Sequence, residues 1–371
     1  MAHNIETCER AGACDVLERV RSTVDARSMA GRDNVALLMV SGGSDSVALA
    51  YLAADMVAAG DMGALAMLHV NHKLRGAASD GDAVFVGELA QHLGIPLFVC
   101  EVDIASMVRS SGGNMEAIAR TERYRAAREA LESTCLHMGF PFEDGRIFTA
   151  HTADDRVENF YMRSIVGTGP GGFRSMEHSA MIEGCRVCRP LLEVGRDDLR
   201  AFIETRDGAV RDATGALWRE DATNADTDRF RAFVRHEIIP VAKQRNPRLL
   251  ETLTRTMNLI ADEDDMLDEQ TRKLLLEQVC PLGVSHSEGF LVSGTLVEAP
   301  APLARRVIDR VLSLALGRDA RIESASIEAC LSGLGHSGYV ANIQGNLAVS
   351  YNKQGLRIEP MSAFRARRKK G

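Results

Sequence analysis

The chain has 371 residues, 45% of them apolar and 26% charged, with a net charge of −7 and a pI near 5.9. That length holds two domains, or one large domain with an appendage, and the composition is that of an ordinary folded protein. The acidic balance excludes a protein that coats nucleic acid indiscriminately, while leaving room for a local basic surface.

Residues 15–28 read as an amphipathic opening helix. From Asn34, short apolar runs alternate with helical stretches. "VALLMV" (35–40) predicts a buried strand, followed by a helix from about Ser44 to Ala59 and a strand "GALAMLHV" (63–70). A helix at 79–93 leads to "PLFVCEV" (96–102), a helix at 114–138 to "RIFTAH" (146–151), and a further helix runs from about Asp154 to Ser164. Buried strands alternating with helices predict an α/β fold with a doubly wound, mostly parallel sheet. In such sheets ligands sit beyond the carboxyl ends of the strands.

A Gly-rich turn, "GTGPGG" (167–172), closes this block. "CRVCRPLLEVGRDDLRAFIETR" (185–206) adds a strand, an arginine-proline turn and a helix. The pattern is then long and helical to about Gln278. The mixed remainder holds a helical "PLARRVIDRVLSLALG" and the alternating "YVANIQGNLAVSYNKQGLRIEP", which reads as a small sheet. The expected organisation is a lead-in (1–33), an α/β nucleotide domain (34–215), a helical connector (216–280) and a small α+β domain (281–371). No internal repeat is visible. The tail "FRARRKKG" concentrates Arg365, Arg367, Arg368, Lys369 and Lys370, a pattern that fits a solvated tail and an RNA-touching one equally well.

No apolar run reaches membrane-spanning length and the first residues show no signal-peptide core, so a cytoplasmic protein is expected. The cysteines are scattered singly apart from Cys185 and Cys188, which argues against a secreted disulfide framework. In a strand at 185–188 those two thiols would face opposite sides, which disfavours a shared metal.

Each unusual motif follows a predicted strand. "SGGSDS", Ser41, Gly42, Gly43, Ser44, Asp45 and Ser46, combines paired glycines, hydroxyls and a helix start, the ingredients of an anion-binding turn, without the Walker lysine. Read plainly, Ser44 or Asp45 would be a helix N-cap. "HVNHKLRG" (69–76) puts His69, Asn71, His72, Lys73 and Arg75 at the sheet edge. "GGNMEAIARTERYRAA" (112–127) offers Asn114 as an N-cap, with Glu116 and Arg120 one turn apart, the spacing of a simple ion pair. "HTADDRVEN" (151–159) places Asp154 and Asp155 at a helix start, where they can cap it or hold Mg²⁺ together with substrate phosphates. A magnesium ion near Asp45, Asp154 or Asp155 would give an acid in a phosphate loop a purpose.

Taken together these segments resemble an N-type ATP pyrophosphatase (PP-loop) domain. With "RSIVGTGPGGFRSM", "RPLLEV" and "WREDATNADTDRFRAFVRHEIIP" they resemble, in chain order over about 34–245, the tRNA(Ile)-lysidine synthetase family. The resemblance continues more weakly into the last domain, which looks like that family's tRNA-binding appendage. It implies ATP and Mg²⁺ as cofactors, and free L-lysine and tRNA(Ile) with a CAU anticodon as partners. It also implies adenylation of the wobble cytidine at its C2 oxygen, then displacement of AMP by the lysine side-chain amine. Codon reading would shift from AUG to AUA.

Carried over by motif, Ser41 to Ser46 would bind ATP. Asp45, Glu116, Arg120 and Asp155 would be catalytic, and Asp45, Asp154 and Asp155 would hold metal. His72, Arg75, Arg231 and Arg235, with Asp221 and Asn224, would meet tRNA or lysine. No membrane partner is implied, and a homodimer is left open. Thr152, Asn159 and Ala232 depart from the family's usual residues and affect positioning rather than chemistry. An RNA thiolase of the same superfamily, a non-catalytic RNA- or nucleotide-binding adaptor and a small-acid amide ligase are the alternatives. A missing sulfur-relay pair, an intact loop and the extra domain count against them in turn.

Overall fold

The computed structural model describes residues 15–73, 77–111, 113–220, 230–317 and 320–370. The chain forms two compact units, Met1–Asn258 and Leu259–Gly371.

In the first unit, six strands form one sheet: β1 (Val35–Met39), β2 (Ala64–Asn71), β3 (Leu97–Glu101), β4 (Gly145–Phe148), β5 (Ser179–Ile182) and β6 (Cys185–Cys188), in the order β3-β2-β1-β4-β6-β5. All neighbours are parallel except β5 and β6, which form an antiparallel edge pair. The mostly parallel α/β sheet expected from the sequence is therefore present. The central strands are buried on both faces, as their unbroken apolar runs require. In β1, Ala36 and Leu38 face one core and Val35 and Leu37 the other; in β2, Leu65 and Met67 part from Ala66 and Leu68 in the same way.

Helices cover both faces. α1 (residues 15–26), α2 (Ser44–Ala58), α3 (Ala77–Leu93) and α7 (Arg196–Glu204) supply Val20, Leu52, Leu89 and Ile203 to one core. α5 (Met115–Met138) lays Tyr124, Ala127 and Leu131 on the other face, with the short α4 (Ile104–Ser111) before it, a helix the sequence reading lacks. Asn114 caps α5 as expected, its side chain accepting from the amides of Glu116 and Ala117, and Gly139 in the left-handed region ends it. α6 (Ala153–Val166) follows β4, and the Gly-rich turn proves to be a single 3₁₀ turn, Pro170–Arg174. α8 (Phe230–Phe233) passes through a π-helical stretch, Val234–Ile238, into α9 (Ile239–Arg245). Val157, Val234, Ile239, Leu249 and Met257 bury this group against α6.

Because β2 and β4 flank β1 on opposite sides, the chain reverses its direction across the sheet at β1. The segments after β1 and β4 lie side by side at that switch point, where doubly wound sheets hold ligands.

The second unit is built on a five-stranded antiparallel sheet, β7 (Val279–Pro281), β8 (Phe290–Val292), β9 (Val340–Ile343), β10 (Leu347–Asn352) and β11 (Gly355–Pro360), in the order β7-β8-β11-β10-β9. α11 (Ala301–Leu316) and α12 (Ser324–Gly333) pack on it through Val307, Val311 and Cys330, and α13 (Met361–Lys370) carries the basic tail. The division between units falls inside the long helix α10 (Leu249–Gln278), ahead of the change of sequence pattern near 280. The physical reason is that the last turns of α10 serve the second core. Leu274 and Leu275 pack on it, and Arg306 of α11 pairs with Asp264 and Asp268.

Candidate nucleotide site

The loop after β1 is braced from within. Ser46 Oγ accepts the amides of Ser41 and Gly42, both at 3.2 Å, and donates to the Gly43 carbonyl at 2.9 Å. From below, buried His69 of β2 donates from Nδ1 to the Val40 carbonyl at 2.9 Å. His69 is thus a satisfied core histidine that fixes where the loop begins. Gly42 turns the chain at φ +94°, a conformation that side-chain-bearing residues rarely adopt. The N-cap of α2 is Gly43 and it makes no side-chain cap, so neither Ser44 nor Asp45 is the cap the plain reading expected. Both lie in the first turn instead, with the Ser44 hydroxyl donating to Asp45 Oδ1 at 3.1 Å. The first-turn amides of α2 and its dipole point toward the switch point.

The loop is also held from above by one segment, 196–219. Arg196 Nε donates to Asp45 Oδ2 at 3.0 Å, Arg200 reaches Ser44 Oγ at 3.5 Å, and the Arg219 amide donates to the Gly42 carbonyl at 2.9 Å. Arg219 in turn spans Asp82 and Asp212, and Arg200 lies over the Trp218 ring. None of these arginines stands out in sequence, because nothing local marks a contact made 151 residues away.

Across the cleft, α6 begins with a capping box. Thr152 is the N-cap, and Asp155 Oδ2 accepts from the Thr152 amide at 2.8 Å. This gives Thr152, one of the departures from the family pattern, a structural task. The other oxygen of Asp155 takes Arg231 at 2.8 Å and Arg196 at 3.4 Å. Asp154 accepts the Arg196 amide at 2.8 Å, so it caps α7, whose own N-cap is Gly195. Glu158, buried and missed in the sequence reading, binds Arg231 at 2.7 Å and Arg235 at 2.6 Å. Its position one turn after Asp155 on the same face of α6 was the available signal.

Charge and burial set the ionisation of this cluster. Burial raises the Asp45 carboxyl above its usual range, Arg196 pulls it down, and nearby Asp155 pushes it up again. Burial also acts to raise Asp155, but Arg231, Arg196 and the Thr152 amide outweigh it and hold that carboxyl low. His151 and His72 are each pushed down to about 4, chiefly by burial. Arg189, Arg231 and Arg120 add to this at His151, and Arg123 at His72. His72 Nδ1 is buried with no hydrogen-bond partner among the described residues.

Glu116 and Arg120 are exposed on α5; Arg120 stacks over Tyr124, 5.0 Å from the ring centre, rather than forming the simple ion pair with Glu116. The structure thus brings together Ser41 to Ser46, Asp154, Asp155, Arg231 and Arg235, and the charge of Arg120 helps keep His151 unprotonated. Arg75, Asp221 and Asn224 lie outside the described residues.

Among the described residues no group of three or more His, Cys, Asp or Glu side chains could hold a metal ion. One or two carboxylates beside a phosphate loop nevertheless suit Mg²⁺, which keeps waters and takes the rest of its ligands from phosphates. Cys185 and Cys188 face opposite cores and are both buried, so they are packing residues. Cys280 is exposed on β7.

A parallel sheet with a lysine-free phosphate loop at its switch point, flanked by acids and arginines, defines a nucleotide-binding α/β domain. The chain belongs to the PP-loop domain family, which it matches over residues 17–242. It is 32% identical to a tRNA(Ile)-lysidine synthase of Geobacter sulfurreducens, over 85% of this chain and 62% of that protein. To a protein of the same name from Thermus thermophilus it is 34% identical, over 77% of this chain and 50% of the relative. The chain thus spans between half and two-thirds of the length of these relatives. Its fold is similar to that of a U34-tRNA thiolase from Methanococcus maripaludis, with a TM-score of 0.51 at 16% identity, covering 68% of this chain and 80% of that one.

Proposed function

We propose that the chain is an ATP-dependent ligase that joins the side-chain amine of lysine to C2 of the wobble cytidine in a CAU-anticodon isoleucine tRNA. The observation that carries this reading is the Ser41–Ser46 loop at the switch point, facing an acid–arginine cluster assembled from α6, α7 and α8. The loop and the first turn of α2 would cradle the ATP phosphates. The cytidine O2 would attack the α-phosphorus and pyrophosphate would leave, which asks for no Walker lysine at a transferring γ-phosphoryl group. Lysine Nζ would then form the bond to C2, giving up a proton as AMP departs.

Asp45 and Asp155, with Asp154 beside them, are the carboxylates that would hold Mg²⁺, which supplies neutralisation of phosphate charge when bound. Arg120 and Glu116 would face the base or its adenylate. Arg231 and Arg235 are kept in place by Glu158 and would meet tRNA or lysine. His72, directly after β2, and Arg75 would complete that surface. Guanidinium groups suit an adenylate phosphate, binding it by charge and by paired donors. The reading would put the reaction in the cytoplasm, with its tRNA substrate. No helix among the described residues is long and apolar enough to cross a membrane.

The test is incorporation of labelled lysine into acid-precipitable RNA from ATP, Mg²⁺ and total tRNA. Label that requires ATP and survives mild alkaline deacylation is expected. AMP release without lysine incorporation would refute the lysine assignment, and absence of AMP would refute the adenylation chemistry.

A further inference from the structure

Arg196 is fixed more firmly than an ordinary surface partner. Its amide donates to Asp154 Oδ2 at 2.8 Å, which pins its backbone to the start of α6. Its guanidinium then spans the cleft, with Nε on Asp45 Oδ2 at 3.0 Å and Nη2 on Asp155 Oδ1 at 3.4 Å. The arginine side chain is 19% exposed, and the two carboxylates are 21% and 10% exposed. Two half-hidden carboxylates near one another repel, and a cation between them relieves that repulsion. The same pair of oxygens is what a hard divalent ion would seek.

We propose that Arg196 is a resident counter-ion, occupying the place of a divalent cation between Asp45 and Asp155 and keeping that pair closed to free metal until a nucleotide polyphosphate arrives. The inference rests on the nucleotide reading of the Ser41–Ser46 loop. Phosphate oxygens give the guanidinium a competing partner, so metal and nucleotide enter together and bare metal does not. The second counter-ion, Arg231, sits on Asp155 and Glu158. Once Arg196 is removed, Asp155 therefore stays paired, whereas among the described residues Asp45 keeps only the Ser44 hydroxyl. The opened cation site is thus expected on the Asp45 side. Arg196 acts through the acids and is a positioning residue.

The probe is Mn²⁺, titrated by electron paramagnetic resonance into the full chain without nucleotide. Wild type should bind it weakly. Arg196→Met keeps most of the stem and removes the charge, and should bind Mn²⁺ at least ~tenfold more tightly. Arg196→Lys should stay close to wild type, and adding Asp45→Asn to Arg196→Met should abolish the gain. ATP binding to wild type, measured alongside, tests the underlying reading separately. If ATP binds and Arg196→Met gains no affinity for Mn²⁺, the counter-ion role is overturned. Tight Mn²⁺ binding by nucleotide-free wild type that Asp45→Asn removes overturns it as well, with no reliance on the Arg196 variants folding. If ATP fails to bind wild type, the nucleotide reading falls first and the proposal with it.

Discussion

Glu158 offers a stability test whose size can be worked out from its contacts. Its side chain is 1% exposed and accepts from Arg231 Nε at 2.7 Å and from Arg235 Nε and Nη2 at 2.6 and 3.0 Å. Glu158→Gln keeps the volume, removes the charge and turns an amide NH₂ toward guanidinium donors. Breaking a fully buried ion pair costs about 3–5 kcal/mol. Here the arginines are 44% and 26% exposed, so water recovers part of their solvation, and Asp155 retains Arg231 at 2.8 Å. The expected loss is therefore about 2 kcal/mol. For a unit of this size that lowers Tm by about 4–8 °C. The chain has a single tryptophan, Trp218, and it lies in the first unit, so its emission on heating reports that unit alone. The loss should persist in about 0.5 M salt, because a buried pair is poorly screened. A shift below ~1 °C would show that Glu158 is not the anchor of these arginines, and the reasoning from burial would fail.

Asp45→Asn should lower AMP formation by at least ~100-fold while leaving the Trp218 melting curve within a few degrees of wild type; normal turnover would remove Asp45 from the chemistry. At Gly42→Ala the methyl has room, with Arg219 Cγ at 3.5 Å and Val86 Cγ2 at 3.6 Å, but φ is +94°. That strain of about 1–2 kcal/mol should raise KM for ATP about tenfold, and an unchanged KM would mean the turn does not serve the phosphates. Replacing Arg365, Arg368 and Lys369 by Gln should weaken tRNA binding and flatten its salt dependence by up to ~3 in log–log slope, with ATP binding unaltered. His151 titrates near 4 in the fold against 6.5 in the unfolded chain, so between these values the unfolded state holds more protons. Stability should therefore fall as pH drops from 6.5 toward 4, and His151→Asn should flatten the fall in the Trp218 midpoint. Parallel curves would show that His151 is charged in the folded protein.

The readable parts of this chain are those set by local rules. Unbroken apolar runs such as "VALLM" mark strands buried on both faces, and the small-residue turn after β1 marks where the sheet offers backbone amides. Asn114 and its helix follow from capping chemistry alone. By contrast, α4 was not legible, since its eight residues are too few to show a period and lie directly against a longer helix. The division inside α10 was hidden for a different reason. One continuous helix serves two cores, and its helical pattern does not change where the core it packs on changes.

Asp45, Asp154 and Asp155 were legible, and Arg231 and Arg235 came with the family resemblance, but Glu158 and Arg196 were not. Asp45 and Asp155 stand in motifs whose spacing announces them, whereas Arg196 lies in an unremarkable helix start and meets Asp45 only after the sheet has formed. That asymmetry has a physical origin. A carboxylate in a phosphate loop is a local conflict of charge, visible in six letters, and its resolution can come from anywhere the fold brings a cation. Here it comes from the N-terminus of α7, which Asp154 anchors and which brings Arg196 onto Asp45. The loop therefore lacks a Walker lysine without lacking a positive charge: the cation is supplied from another helix and shared with two carboxylates. A shared cation can be surrendered when phosphate oxygens compete for it, which a lysine built into the loop could not do without leaving the loop itself.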